Sequence, residues 1–173
     1  VTGDVAHLEA AEHIFESYRR LGRRQGGGGR PWIAYIADGG YLWLEHYPNS
    51  RPNHVLNAHM HSLIGLYEYW QHTRSVEARQ LLAGALTTMR DRGGLYRREG
   101  KISIYGMHSR TNHYKYHQIH IGQLRLLGRM TGDAWFTELA NTMAADRGPK
   151  RDVPGKPVES RLRAVPSRAP QSE

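Results

Sequence analysis

Residues 111–124 read TNHYKYHQIHIGQL, with His113, His117 and His120 interleaved with Tyr114 and Tyr116. An imidazole titrates near neutral pH and both donates and accepts, whereas a phenol becomes a base only where neighbouring cations lower its pKa. Such a run suits a metal site, a nucleic-acid surface, a sugar site or an aromatic core. A second run, residues 46–61, carries His46, His54, His59 and His61, so two short windows hold most of the chain's 11 histidines. At helical spacing His54, Asn57 and His61 share one face while Leu56 and Leu63 turn away from it. His113, His117 and His120 share another face, beside Tyr116. Two such helices packed across a cleft would bring those faces together. Metal ligation through His59 and His61, or through His113 and His117, has little behind it: there is no HExxH motif and the carboxylates lie elsewhere.

Helices must position these side chains. From Asn53, the positions Leu56, Met60, Leu63, Tyr67 and Trp70 recur at spacings of three and four, which predicts an amphipathic helix with Tyr67, Tyr69 and Trp70 on the core side. Ser75 can cap a helix over about 76–90 that carries Leu81, Leu82, Ala85 and Met89. One further helix is predicted over about 112–130. Another follows Gly132-Asp133 and carries Trp135, Phe136, Leu139 and Met143. Upstream, residues 4–21 place Val5, Leu8, Ile14 and Leu21 near helical spacing until Gly22 stops them. The glycine-rich run 23–31 reads as a flexible loop, Asp38-Gly39-Gly40 as a turn between aromatic-rich stretches, and residues 91–106 as a loop with short extended pieces. The expected fold class is all-α: a partial α/α toroid-like domain with short extended segments in its loops. About five helices do not close a large toroid, so the domain is partial, opened, or completed by self-association.

Composition narrows the ligand. The 39% of hydrophobic residues are weighted to Tyr, Trp, Leu and Ala rather than to Val and Ile, which favours helices over buried sheet. Without cysteine there is neither a disulfide framework nor a thiolate zinc site. Half of the net charge of +8 falls in residues 147–173, a basic, proline-rich tail expected to be disordered, which leaves 1–146 as the helical domain. That residual charge fits attraction to an anionic ligand. It does not make a nucleic-acid surface, since no RNP, KH, zinc-finger or helix-turn-helix context accompanies it. No run of 18 apolar residues occurs, and VTGDVAHLEA has neither a basic nor an apolar signal region. The visible chain is expected to be soluble, without a membrane partner or targeting segment.

Two stretches, LEHYPNSRPNHVLNAHMHSLIGLYEYW and YKYHQIHIGQLRLLGRMTGD, together resemble the C-terminal domain of the D-glucuronyl C5-epimerases over about residues 31–145. The family pattern E-Y-P, V-L-N-G and S-L-x-G-L-Y-D is similar to His46-Tyr47-Pro48, Val55-Leu56-Asn57-Ala58 and Ser62 through Glu68. Its Y-H-x-x-H-x-x-Q-L is similar to Tyr116 through Leu124. The resemblance implies an α/α toroid-like helical domain preceded by a β-rich domain, a cleft for an anionic uronate-containing polysaccharide of the heparan sulfate or heparosan type, and Tyr47, Tyr105 and Tyr116 as the catalytic tyrosines. It also shows departures: His46 stands where the family has an acidic residue, with Glu45 one place earlier, and Ile104-Tyr105-Gly106 replaces I-Y-D.

The reaction so implied converts D-glucuronate to L-iduronate by removing and returning the C5 proton. It needs a base on one face of the sugar, a donor on the other, and stabilisation of an enolate-like dianion. Tyr116 and Tyr47 are the acid/base candidates and Tyr105 a third, with His117 and His120 expected to depress the phenol pKa. Asn57 and His61 would orient substrate oxygens, and Arg110 would clamp the carboxylate. C5 changes no oxidation state, so no cofactor is expected, in keeping with the lack of a dinucleotide fingerprint. Two alternatives stand beside this reading. One is a noncatalytic acidic-polysaccharide-binding protein using Trp32, Tyr41, Trp43 and basic groups; the other is a uronate polysaccharide lyase. A β-rich domain or a second copy would complete the cleft.

Overall fold

The computed structural model describes residues 5–23, 33–49 and 51–146. The expectations for most of the glycine-rich run, for Trp32 and for the tail fall outside the described residues. The elements are α1 (Val5–Arg19), β1 (Leu21–Arg23), β2 (Ala34–Ile36), β3 (Leu42–Leu44), α2 (Leu56–Thr73), α3 (Val76–Arg92), a 3-10 turn (Gly93–Tyr96), α4 (Tyr114–Thr131) and α5 (Ala134–Ala145). The chain is mostly helical. Helices α2 and α3 pack as one pair and α4 and α5 as another, and α2 and α4 join the pairs in an α/α arrangement.

A three-stranded sheet in the order β1-β2-β3 corrects the all-α expectation. β1 runs parallel to β2, and β2 pairs antiparallel with β3 through the Asp38-Gly39-Gly40 turn. The first helix therefore ends at Arg19 and Leu21 lies in a strand, because residues 21–23 satisfy their backbone against residues 34–36.

The core lies where the helix pairs meet. Leu56, Met60 and Leu63 of α2, Met89 of α3, Leu124 and Leu127 of α4 and Ala140 of α5 are all fully buried. Each large aliphatic side chain among them contributes about 1.5–3 kcal/mol. Tyr67, Tyr69 and Trp70 pack on the edge of that core, half-buried. Short, well-capped links fix the pairs. Arg74 takes a left-handed φ of 56° and Ser75 Oγ accepts from Ala78 N at 3.2 Å. At the other pair Gly132 (φ 72°) ends α4, and the Asp133 carboxylate accepts from Trp135 N at 3.0 Å. Asp133 also accepts from the Arg90 guanidinium at 2.9 and 3.1 Å, tying the end of α3 to the start of α5.

One histidine of the first window belongs to this framework. His59 is fully buried; its Nδ1 accepts from Leu44 N at 3.1 Å, so its proton sits on Nε2, which donates to Ala85 O at 3.0 Å. The ring pins β3, α2 and α3 together. Burial holds it neutral down to about pH 4.

Candidate active site

Two loops form the wall on which the candidate site is built. Residues 46–49 with 51–55, and 105–111, meet through the Val55–Gly106 bridge, with Leu56 N donating to Tyr105 O at 3.0 Å and Met107 N to His54 O at 3.4 Å. Asn53 Oδ1 accepts from Ser109 N at 2.7 Å and from His108 N at 3.2 Å, which clasps the second loop to the first. The clasp accounts for Gly106: a Cβ there would stand 2.4 Å from Asn53 Nδ2 and 2.6 Å from Oδ1. The glycine that departs from the I-Y-D pattern is thus the space the Asn53 amide occupies. Tyr105 N donates to Thr111 O at 2.7 Å and Arg110 N to Gly106 O at 2.8 Å, closing the second loop on itself.

Glu45 braces the first loop. It is buried, and it accepts from His54 N at 3.1 Å and pairs with His54 Nδ1 at 2.5 Å. Tyr96 Oη donates to His54 O at 2.5 Å. These contacts hold His54 at φ 50°, a left-handed conformation unusual for a residue with a side chain. His54 accordingly precedes α2 instead of riding on it, and its ring stacks on Trp43 at 4.6 Å.

The three candidate tyrosines converge on this wall from three separate segments. The Tyr105 and Tyr116 rings lie 4.5 Å apart at 48°, both half-buried. Burial first, and then the Tyr116 and Tyr47 phenols, hold the Tyr105 hydroxyl above its ordinary range, and a hydrogen bond with Tyr116 adds to this. Tyr47 is close enough to act on Tyr105 in this way while remaining 60% exposed, so the cluster opens to solvent.

The histidines divide differently from the sequence pattern. His113 caps α4 in extended backbone and presents its ring edge-on to Tyr105 at 6.4 Å and to Tyr116 at 6.0 Å. It is the imidazole beside Tyr105 and Tyr116, as His46 is beside Tyr47 with ring centres 4.1 Å apart, and its position three residues before Tyr116 was the available signal for it. His117 and His120 instead face the interior. Ser103 Oγ bridges His117 Nδ1 at 3.0 Å and His120 Nδ1 at 2.8 Å, and Ser103 N donates to His117 Nδ1 at 3.1 Å. Burial, reinforced by the neighbouring His117, keeps His120 neutral down to about 3. A neutral ring supplies no cationic field, so His120 does not provide the depression expected of it together with His117, and Tyr105, the third candidate, is raised rather than depressed. Through Ser103 the pair anchors the segment that ends in Tyr105.

The remaining candidates are dispersed. Arg110 is exposed in the loop that begins with Tyr105. Asn57, in the first turn of α2, lies against α4: its backbone carbonyl accepts from Gln123 Nε2 at 3.0 Å. Asn57 Oδ1, Gln123 Oε1 and His120 Nε2 are buried without a hydrogen-bond partner among the described residues. His61 is exposed on an apolar groove of about 630 Å³ between α1 and α2, lined by Leu8, Ile14, Phe15 and Tyr18, away from the tyrosines. The expected single cleft lined by the His54/Asn57/His61 and His113/His117/His120 faces is therefore corrected: the helices pack, but their histidines go to the interior, to the loop wall and to separate surfaces. Among the described residues no group of three acidic or imidazole side chains is arranged to hold a metal, and no helix is long and apolar enough to cross a membrane.

Comparison with known families agrees with this architecture. A family model for the D-glucuronyl C5-epimerase C-terminus matches residues 1–144. The match extends upstream of the motif-bearing region and takes in α1 and β1. The chain therefore belongs to the D-glucuronyl C5-epimerase C-terminal family, and with that membership come an epimerase-type function and a uronate-containing polysaccharide as the implied partner.

Proposed function

We propose that the chain carries the acid/base tyrosines of an enzyme that epimerises D-glucuronate to L-iduronate within an acidic polysaccharide. The observation that carries this reading is the convergence of Tyr105 on Tyr116 at 4.5 Å, with the exposed Tyr47 on the loop that pairs with the one carrying Tyr105. The carboxylate next to C5 makes that C–H bond acidic: when a base takes the proton, the bonding pair moves into the carboxylate as an enolate-like dianion. A proton delivered to the opposite face gives the other epimer, and no electron leaves the sugar. Tyr105, held protonated at neutral pH, suits the donor. Tyr47, on the other loop, then serves as base, and Tyr116, whose ring lies 4.5 Å from that of Tyr105, is the neighbouring phenol through which the donor regains its proton after each turnover. Arg110, exposed on the same loop as Tyr105, is the candidate guanidinium for the carboxylate, and Asn57 is the candidate acceptor at the α2–α4 seam. The cleft is one side of an α/α toroid, completed by a β-rich domain or by a second copy.

Heparosan-type polymer incubated with the protein in heavy water tests the proton step. The expected results are deuterium at C5 and new iduronate, without unsaturated chain ends. Tyr116→Phe keeps the ring and removes the phenol, and exchange should fall about 10²- to 10⁴-fold. Full exchange by that variant would remove Tyr116 from the mechanism, and unsaturated ends would make the chain a lyase.

A further inference from the structure

The two loops that carry Tyr47 and Tyr105 contribute to more than the tyrosine cluster. The same two loops border a cavity of about 410 Å³ whose lining includes Tyr41, Trp43, Arg51, His54, Arg92 and His108. Its volume lies in the range of small-ligand pockets. None of Tyr47, Tyr105 or Tyr116 reaches into it, yet His108 follows Tyr105 by three residues and Arg51 follows Tyr47 by four.

The lining combines a fixed apolar floor with cationic edges. Trp43 is buried under the His54 ring. His54 Nδ1 is committed to the buried Glu45 carboxylate, so Nε2 is the ring's remaining hydrogen-bonding atom. Arg92 lies with its guanidinium carbon 4.1 Å from the centre of the Tyr41 ring. Stacking of that kind occupies the flat face of a guanidinium and leaves its N–H edge for an oxyanion. Arg51 is exposed at the rim, as is His108. Asp38 also lines the cavity, so the two guanidiniums outnumber its one carboxylate. A bare inorganic anion would make no use of the Trp43 and Tyr41 rings, and a neutral sugar would leave the guanidiniums unmatched. A pyranose bearing a carboxylate or sulfate uses both.

We infer that this cavity is a second subsite for an anionic sugar residue, which takes a charged neighbour on the same polymer while one uronate lies at the tyrosines. The inference rests on the proposed uronate-polymer reading for the identity of the ligand. With charged sugars recurring along the chain, two such stations make the site a reader of polymer rather than of single uronates.

Titration calorimetry on the full chain with a heparosan-type hexasaccharide tests it, beside the same hexasaccharide with its carboxylates reduced to alcohols. The double variant Arg51→Gln/Arg92→Gln should bind the acidic hexasaccharide about tenfold or more weaker, and the reduced one should bind as weakly to both proteins. Arg129→Gln, on an exposed position of α4 away from the cavity, should bind as the unaltered chain does. In the unaltered protein the Trp43 indole and His54 ring resonances should shift on titration, a readout that needs no variant to fold. Binding by the double variant within twofold of the unaltered chain, an equal loss in Arg129→Gln, unmoved Trp43 and His54 resonances, or no binding by the unaltered chain would each overturn the subsite. C5 exchange is measured separately. Arg92-dependent binding without exchange would leave the subsite standing and remove the epimerase reading, whereas exchange with unaltered affinity in the double variant would remove the subsite alone.

Discussion

Tyr116 and His117 are neighbours in the chain, and α4 sends them opposite ways. Tyr116 leans on Tyr105 at a solvent-open edge, with His113 beside it. His117 turns inward with His120 onto Ser103, where all three residues are buried. One side turns its phenol toward solvent; the other is closed to solvent and holds the segment that carries Tyr105 in place. A titratable ring is thus chemically available or merely structural according to which side of one helix it occupies. Residue type alone does not decide it.

That comparison breaks most visibly at Tyr105. Tyr105→Phe should lower C5 exchange by about 10²- to 10⁴-fold while changing unfolding free energy by less than about 1 kcal/mol, because ring packing survives. Ser103→Ala should do the reverse in emphasis, costing about 1–3 kcal/mol by stripping a buried hydrogen-bond partner from His120, with a smaller effect on exchange. Urea titration and deuterium incorporation measured on both variants decide the matter. If Tyr105→Phe lost as much stability as Ser103→Ala, the division between reactive and anchoring sides would fail.

Acid should find the anchoring side next. In the unfolded chain the His59 and His120 imidazoles take protons near their ordinary 6.5; in the folded chain they hold out until about 4 and about 3. Between those values the unfolded state binds more protons, so stability falls as pH drops below about 6.5, the His59 share being complete near 4 and the His120 share near 3. Each share is of the order of a few kcal/mol. Asp133 and Asp146, whose carboxylates are held below the ordinary range mainly by hydrogen bonds to the Trp135 N–H and to Arg97 respectively, act further down. Urea midpoints at pH 7 and pH 5 should show the fall, and His120→Gln should flatten it. An unchanged slope in that variant would mean that His120 is not the buried neutral base described.

The helices themselves were largely legible before folding. Ser75 and the Gly132-Asp133 pair mark real starts and stops because capping is local. The errors come from contacts far apart in sequence. α2 begins at Leu56 and not near Asn53, since residues 53–55 are spent on the loop that carries Tyr105. Leu21 left its helix for a strand partner across a gap the periodicity does not register. The closeness of Tyr105 and Tyr116 follows from motif resemblance, which carries tertiary information that spacing lacks. The roles of His59 and Glu45 stayed hidden, because their partners include Leu44 N, Ala85 O and His54 N, backbone atoms that no sequence pattern marks; Ser103 stayed hidden because it meets His117 and His120 from a separate segment of the chain.

The smallest effect, and the finest test of the boundary between the two sides, lies with His113. Its ring meets both Tyr105 and Tyr116 edge-on, but it sits exposed at the cap of α4, in water that screens whatever charge it carries. Its influence on the phenols is therefore weaker than a buried cation's would be. Its removal leaves the Ser103 anchor untouched, because the segment carrying Tyr105 is fixed from the other face of the helix. His113→Gln should lower exchange by about two- to tenfold at neutral pH, with no more than about 0.5 kcal/mol change in stability, as for other exposed substitutions. The pH profile of exchange separates a titrating role from a purely spatial one: a histidine that acts through its charge makes the profile bend near its own titration, and the glutamine variant loses that bend. If the profile of His113→Gln superimposes on that of the unaltered chain while the rate falls uniformly, His113 only shapes the mouth of the site, and the one imidazole left in ring contact with a candidate tyrosine among the described residues is His46, 4.1 Å from Tyr47.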